Sequence, residues 1–89
     1  MVKKTFFNTE EDLSLASLNK LRCSIFGNFA VVVEGHKGLK AFSLQKIVFN
    51  ANKKQNLSIV GKNLIIKQLA IGYALVMGEI DGVAYENIG

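Results

Sequence analysis

Residues 56–69, NLSIVGKNLIIKQL, decide the fold because they alternate apolar and polar residues on both sides of one glycine. Placing Gly61 and Lys62 at the centre of a two-residue turn predicts a type II′ hairpin, since glycine supplies the positive φ of its first position. A turn one residue longer would place the Ser58 hydroxyl on the apolar face. The two-residue turn instead forms two apolar cross-strand pairs on one face: Ile59 with Leu64, and Leu57 with Ile66.

From Arg22 onward, the chain consists of short runs rich in β-forming residues, divided by glycine, asparagine and lysine. This pattern is typical of antiparallel β-structure. Residues 30–33 are apolar on both faces, which predicts a central strand. Residues 35–38, GHKG, predict a second hairpin turn. Seven runs are predicted as strands: residues 23–27, 29–34, 39–43, 46–51, 57–60, 63–69 and 73–85.

The last of these runs changes its alternation at Asp81 and Gly82. Ile80 lies between acidic neighbours, and the next apolar positions are Val83 and Tyr85, which are out of phase with it. A β-bulge would keep one long curved strand, whereas a type I′ Asp-Gly turn would make a final short hairpin. Both interpretations fit the pattern.

The first twenty residues have a pattern typical of a helix, unlike the β pattern of the rest of the chain. Thr9 followed by three acidic residues is typical of a helix N-cap, and Leu15, Leu18 and Leu21 then recur every three residues. We therefore predict a short helix over about residues 9–20. Residues 1–8 are predicted to be an arm, with a first strand or an amphipathic membrane anchor through Phe6 and Phe7 as the alternatives.

Together these elements predict one domain over residues 9–89. Its fold class is mainly β: a small antiparallel β-sandwich or partly closed barrel with one short N-terminal α-helix. The predicted core is Val31, Val33, Ile47, Phe49, Leu57, Ile59, Leu64, Ile66, Leu75 and Met77.

Composition restricts the class of protein. A chain of 89 residues, 49% of them hydrophobic, has little interior in which to bury them, so we expect a homo-oligomer or a partner surface. The single cysteine indicates a reducing compartment. Neither a secretory leader nor an apolar run of about 18 residues is visible. We expect a soluble cytoplasmic protein or one attached peripherally to a membrane.

Groups that carry chemistry are sparse. Glu79 and Asp81 lie two apart at a strand edge, where solvation explains them. His36 is expected to be a polar turn residue in an exposed loop, with a pH-sensitive contact as the alternative. Cys23 is expected to be a small buried hydrophobe. We predict no enzyme, no catalytic residue, no metal or cofactor site and no small-molecule substrate.

Charge is distributed unevenly along the chain. Seven lysines and no acidic residue lie between Gly35 and Gly78. Such a block could form a basic face for nucleic acid on a small Sm-like or OB-like barrel, or for anionic lipid. Ten of the eleven basic residues are lysine, however, and arginine is the more usual phosphate contact. Solvated lysines that protect strand edges explain the block more simply.

The order of apolar residues and glycines resembles one known family. Residues 31–39 contain Val-x-Val-x-x-His-x-Gly-Leu, residues 57–69 contain Leu-x-Ile-x-Gly-x-x-Leu-x-Ile-x-x-Leu, and Gly78-x-Ile80 follows. Over residues 21–85 this pattern resembles the YabP/YqfC family of sporulation proteins, with the YqfC-like branch closest. The family pattern favours the bulge at Asp81.

The resemblance implies a non-catalytic role in endospore formation. Members are small soluble proteins of the mother cell, associated with spore envelope assembly and with membrane-protein companions. The resemblance therefore implies an interaction or assembly module of the spore envelope, cortex or coat. Nucleic-acid binding by a small barrel is the alternative.

One departure from the family pattern points to a contact surface. Residues 69–72 are apolar with a glycine, where the family tends to have an acidic, polar connection. We predict an apolar contact patch around Ile71. The candidate partner or anion contacts are His36, Lys37, Lys40, Lys62, Lys67 and Ile71.

Overall fold

The computed structural model describes residues 21–88. They form six strands, all antiparallel, in one open sheet with the order β1-β2-β6-β5-β4-β3. No helix occurs among these residues. The predicted mainly β class is confirmed. The predicted β-sandwich or partly closed barrel is not confirmed, because the strands form one open sheet. The predicted arm and helix lie outside the described residues. The strands are β1 (Arg22–Phe26), β2 (Ala30–Glu34), β3 (Leu39–Phe42), β4 (Lys46–Asn50), β5 (Gln55–Ala70) and β6 (Tyr73–Asn87).

The predicted hairpin at Gly61 and Lys62 is wrong. β5 is one strand of 16 residues that passes through both positions, and the chain reverses later, at Ile71 and Gly72. Gly61 lacks the positive φ that a type II′ turn needs, whereas Gly72 has a φ of 70°. The tight turn therefore joins β5 to β6, and these two long strands form a ribbon through the whole sheet. We call the turn at Ile71 and Gly72 the tip of this ribbon.

The ribbon contains a bent region, which we call the crease, where the pairing register of its two strands shifts. The register between β5 and β6 shifts next to Gly61 and again before Ile65, and Asp81 is the extra residue on β6. β6 continues without interruption to Asn87, so the β-bulge at Asp81 is confirmed and the Asp-Gly turn is wrong. Bulges increase the local twist and bend of a strand. The ribbon consequently bends between its two ends.

The crease separates two halves of the sheet with equivalent pairing. In the tip half, β1 and β2 form a hairpin that pairs with residues 73–77 of β6, which in turn pair with residues 65–70 of β5. In the far half, β3 and β4 form a hairpin that pairs with residues 56–60 of β5, which pair with residues 82–86 of β6. Each long strand thus contributes to both halves.

The core joins the two halves. Seven of the ten predicted core residues are in it, and Ile66 packs against its margin. Leu75 and Met77 are only half-buried, because the neighbouring positions Ala74 and Val76 face the core instead. Residues 74–77 are all apolar, so their alternation did not determine which face is buried. The core cluster is Val31, Val33, Ile47, Phe49, Leu57, Ile59, Leu64, Ala74, Val76 and Ile80.

Residues 35–38 do not form the predicted hairpin turn. β2 and β3 are separated by three strands in the sheet order, so these residues form a crossover from the tip half to the far half. We call them the β2–β3 connection. The path of this connection determines where the candidate interaction site lies.

Candidate interaction site

Backbone hydrogen bonds fix the β2–β3 connection at both of its ends. The Gly35 N–H donates to the carbonyl of Gly72 at 2.7 Å, which ties the connection to the ribbon tip. The Lys37 N–H donates to the carbonyl of Asn50 at 2.7 Å, and the Asn50 N–H donates to the carbonyl of Gly38 at 2.8 Å. The connection therefore joins the tip of the β5–β6 ribbon to the end of β4.

His36 lies beneath this connection and is only 6% exposed, so the expectation of an exposed loop residue is wrong. Its Nδ1 accepts a hydrogen bond from the Gly38 N–H at 3.0 Å, and its ring lies 4.8 Å from that of Phe49. A nitrogen that accepts in this way leaves the ring hydrogen on Nε2. That Nε2 is buried and has no partner among the described residues. His36 therefore connects the crossover to the core of the far half.

An open cavity of about 560 Å³ lies where the connection meets the ribbon tip. We call it the tip groove. Its walls are formed by residues 35–39 on one side and residues 69–72 on the other. Leu39, Leu69 and Ile71 supply its apolar side chains, and the Ile71 side chain is fully exposed. The groove is therefore an apolar surface that the described part of the chain leaves open to solvent.

Two unpaired strand edges reach the tip groove. Within residues 21–88, β3 pairs only with β4, and residues 65–70 of β5 pair only with β6. Leu39 begins β3, and Leu69 and Ala70 end β5, and all three line the groove. An unpaired edge presents backbone N–H and C=O groups in a regular row. Apolar walls and unpaired backbone groups thus occur together here.

The structure brings together three of the six predicted contact residues, since His36, Lys37 and Ile71 line the tip groove. Lys40 and Lys67 lie at the irregular positions of β3 and β5, one and two residues from lining leucines. Lys62 lies at the crease, opposite Glu79, so it does not belong to this group.

Leu39 was not predicted as part of the site, whereas Leu69 belongs to the apolar stretch of residues 69–72 in which the contact patch was predicted. The misplaced turn at Gly61 treated Leu69 as the end of a short strand rather than the edge of a ribbon tip. The apolar residue and glycine at positions 71 and 72 were the available signal for a turn there.

The remaining lysines do not converge on the groove. Lys46 Nζ lies 3.3 Å from Glu86 Oε2, and the Ser58 hydroxyl donates to Glu86 Oε1 at 2.6 Å. The Ser58 hydrogen bond and then the Lys46 ammonium hold the pKa of the Glu86 carboxyl below its ordinary value. Lys53 and Lys54 lie in the β4–β5 connection, where β5 begins. Nucleic-acid binding by the lysine block stays a prediction.

Reactive groups in the described chain are few and separate. No group of three His, Cys, Asp or Glu side chains within residues 21–88 is placed to hold a metal ion. Cys23 packs half-buried against the core, and burial raises the pKa of its thiol. No helix that could span a membrane occurs among the residues described.

Comparison with known proteins gives one match. The model of the YabP family matches residues 17–88, which include every strand. The match does not separate the YqfC-like branch from the rest of the family. No curated protein matches the chain. A family match over this much of the sequence, together with the β-rich fold of the same residues, identifies the chain as a member of the YabP family.

Proposed function

We propose that the protein is a non-catalytic sporulation protein that acts as an interaction and assembly module in endospore formation. In this proposal it works on the mother-cell side, in assembly of the spore envelope, cortex or coat. Its partner is a sporulation membrane protein, at which the chain docks from the cytoplasm. Family membership supports the link to sporulation, and the surface of the domain supports interaction.

The observation that carries the proposal is the exposed apolar surface of so small a sheet. Twelve large hydrophobic side chains among the described residues are at least 38% exposed. Exposed apolar side chains that cluster are typical of protein-binding surfaces, and Leu39, Leu69 and Ile71 cluster at the tip groove. The twelve exposed side chains are Ile25, Phe26, Phe29, Leu39, Phe42, Leu44, Val60, Ile65, Leu69, Ile71, Tyr85 and Ile88.

Part of this surface forms a row across the tip half. Phe26 pairs with Ala30, Ala30 with Met77, and Met77 with Ile65, so four neighbouring strands carry apolar residues side by side. Phe26 and Ile65 at the two ends of the row are each about half exposed. Ala30 within the row is buried, so the two exposed ends of the row are the parts open to a second copy, and they support our further proposal that the protein forms a homo-oligomer.

The arrangement of reactive groups supports a role without catalysis. His36 Nδ1 is occupied by the Gly38 N–H, and Cys23 is half-buried with a raised thiol pKa. A nucleophile and base acting together need to lie within hydrogen-bond reach of each other. No hydrogen bond joins these two side chains in the described structure.

Deletion of the gene in an endospore-forming host tests the proposal. We expect normal vegetative growth and a loss of heat-resistant spores, restored by the wild-type gene. Fluorescent fusions should localise to the mother-cell side of the developing spore. Normal numbers of heat-resistant spores in the deletion strain would overturn the proposal.

A further inference from the structure

We propose that the tip groove binds an extended segment of a partner protein as an added β-strand. The backbone of this segment pairs with one of the two free edges at the groove, and its alternate side chains enter the groove. This inference rests on the proposed function, because it names the kind of partner segment that the interaction module recognises.

The first argument is the backbone. Residues 65–70 of β5 and residues 39–42 of β3 each have a strand neighbour on one side only within the described chain. An extended peptide satisfies such an edge through main-chain hydrogen bonds, whereas a helix or a compact ligand leaves the row unpaired. Leu39 of β3 and Leu69 and Ala70 of β5 line the same cavity, so a strand added to either edge passes beside the groove at these residues.

The second argument is the lining. Leu39, Leu69 and Ile71 are apolar; Leu39 is 38% exposed, Leu69 is 50% exposed and Ile71 is fully exposed. Alternate residues of a strand point to the same side, so an inserted segment presents every second side chain to these walls. A segment with Val, Ile or Leu at alternate positions fits both the apolar lining and the edge pairing.

The third argument is charge. Lys37 lines the groove, and Lys40 and Lys67 lie within two residues of its leucines. Glu34, which precedes the lining residue Gly35, already lies 4.0 Å from Arg22, and no acidic residue occurs between Gly35 and Gly78. Complementary charge increases association rates and selects among partners. The segment is therefore expected to carry Asp or Glu on either side of its apolar positions.

A displayed library of random peptides, each about twelve residues long, tests this inference with the full chain as bait. Selection is carried out against the wild-type protein, with depletion on Ile71→Asp. The matched control is Ile25→Asp, which changes another exposed isoleucine on the edge of β1. We expect enriched peptides with alternating apolar residues between acidic ones, and an affinity that falls as salt is raised.

A selected peptide is then titrated into isotopically labelled protein. We expect amide shift changes over residues 35–40 and 65–72, at least tenfold weaker binding by Ile71→Asp, and unchanged binding by Ile25→Asp. Failure to enrich any peptide, equal binding by Ile71→Asp, or shift changes centred on β1 would each overturn the inference.

Two other occupants have distinct signatures, and either one would also overturn it. Occupation by a second copy predicts a dimer that Ile71→Asp converts to monomer, with no enriched peptide. Occupation by the chain's own residues 1–20 predicts nuclear Overhauser contacts from them to the groove without added peptide.

The outcomes separate this inference from the proposed function. Loss of heat-resistant spores on deletion, with no enriched peptide, removes the groove inference alone. Normal spores with a peptide bound at the groove remove the sporulation role alone.

Discussion

The crease and the tip of the β5–β6 ribbon both contain a glycine, but the two glycines have opposite surroundings. A Cβ added at Gly61 would overlap the Glu79 carbonyl oxygen, whereas a Cβ added at Gly72 would meet nothing within 4 Å. The crease is therefore fixed by backbone contact between the two strands. Within residues 21–88, the tip is held by its turn conformation, by the pairing of Ala70 with Tyr73 and by the Gly35 hydrogen bond. Close packing at the crease specifies the fold, and open space at the tip leaves apolar side chains available for binding.

The difference extends to the residues next to each glycine. At the crease, Leu64 is completely buried and belongs to the core cluster. At the tip, Ile71 is completely exposed. One pair of strands thus supplies both the interior of the domain and its interaction surface. Substitutions in the ribbon should affect stability at the crease and binding at the tip.

Gly61→Ala is expected to have the largest effect on stability. The added methyl group would collide with a backbone carbonyl, which no side-chain rotation relieves. Overpacking of this kind costs about 3 kcal/mol or more, a large share of the roughly 5–15 kcal/mol that stabilises a typical domain. Chemical denaturation followed by circular dichroism measures the change.

Gly82→Ala is the matched control for this prediction. Gly82 lies in the same ribbon and lacks a positive φ, and a methyl group added to it would meet no atom within 4 Å. We expect its free energy of unfolding to change by no more than about 1 kcal/mol. Equal effects of the two substitutions would show that the crease is not set by close contact.

His36→Ala is expected to have the next largest effect, because it releases the crossover beside the tip. The substitution removes the acceptor of the Gly38 N–H and the ring that lies against Phe49. Loss of a buried hydrogen-bond partner costs about 1–3 kcal/mol. The Gly38 amide should also lose protection from hydrogen exchange, a local change that general destabilisation does not produce selectively.

Lys37→Ala serves as the control in the same connection, since the Lys37 side chain is exposed. We expect a change of about 0.5 kcal/mol or less and an unaltered Gly38 amide. If the Gly38 amide exchanges hydrogen at the same rate in both variants, the His36 side chain does not hold the crossover in place.

The comparison of crease and tip also explains how much the sequence could predict. The β class and most of the core follow from the alternation of apolar and polar residues over short stretches. That alternation left both the bulge and the turn at Asp81 open, and the family pattern favoured the bulge that continues β6. The position of the β5–β6 turn does not follow from alternation, because Gly61 and Gly72 offer the same local signal. Only the contact of Gly61 with the Glu79 backbone distinguishes a packing glycine from a turning one.

The site, too, could be predicted only where a short stretch of sequence specifies it. Ile71 and Lys37 were identified from an apolar tetrapeptide and a charge pattern, both of which are local. The burial of His36 depends on the crossover between β2 and β3, which are separated by three strands in the sheet. Their separation reflects the pairing of the whole sheet, and no short stretch of sequence specifies it.

Glu86, at the opposite end of β6 from the tip, should show a smaller effect that depends on pH. Its pKa is lowered by the Ser58 hydroxyl and then by Lys46, so the charged form favours the folded state. This contribution is present above the ordinary glutamate pKa of about 4.3 and is lost as the pH falls through the lowered folded-state value. The stability difference between wild type and Glu86→Gln should therefore shrink on acidification.

The Ser58→Ala variant is the control for that assignment. Removing the hydroxyl should raise the pKa of Glu86 towards its ordinary value, as followed by the carboxyl carbon resonance during titration. An unchanged Glu86 titration in this variant would contradict the role of the 2.6 Å hydrogen bond.

Ile71→Asp should have the smallest effect on stability of any change in the ribbon. The side chain is fully exposed, and surface substitutions away from caps and strained backbone usually change stability by about 0.5 kcal/mol or less. An isoleucine in this position contributes almost nothing to the folded monomer, so any consequence of its replacement belongs to binding. Equal unfolding midpoints for Ile71→Asp and wild type, together with lost peptide binding, would separate the tip from the crease completely. A loss of stability comparable to that of Gly61→Ala would instead mean that the tip is part of the packed interior. The contrast between the crease and the tip would then fail.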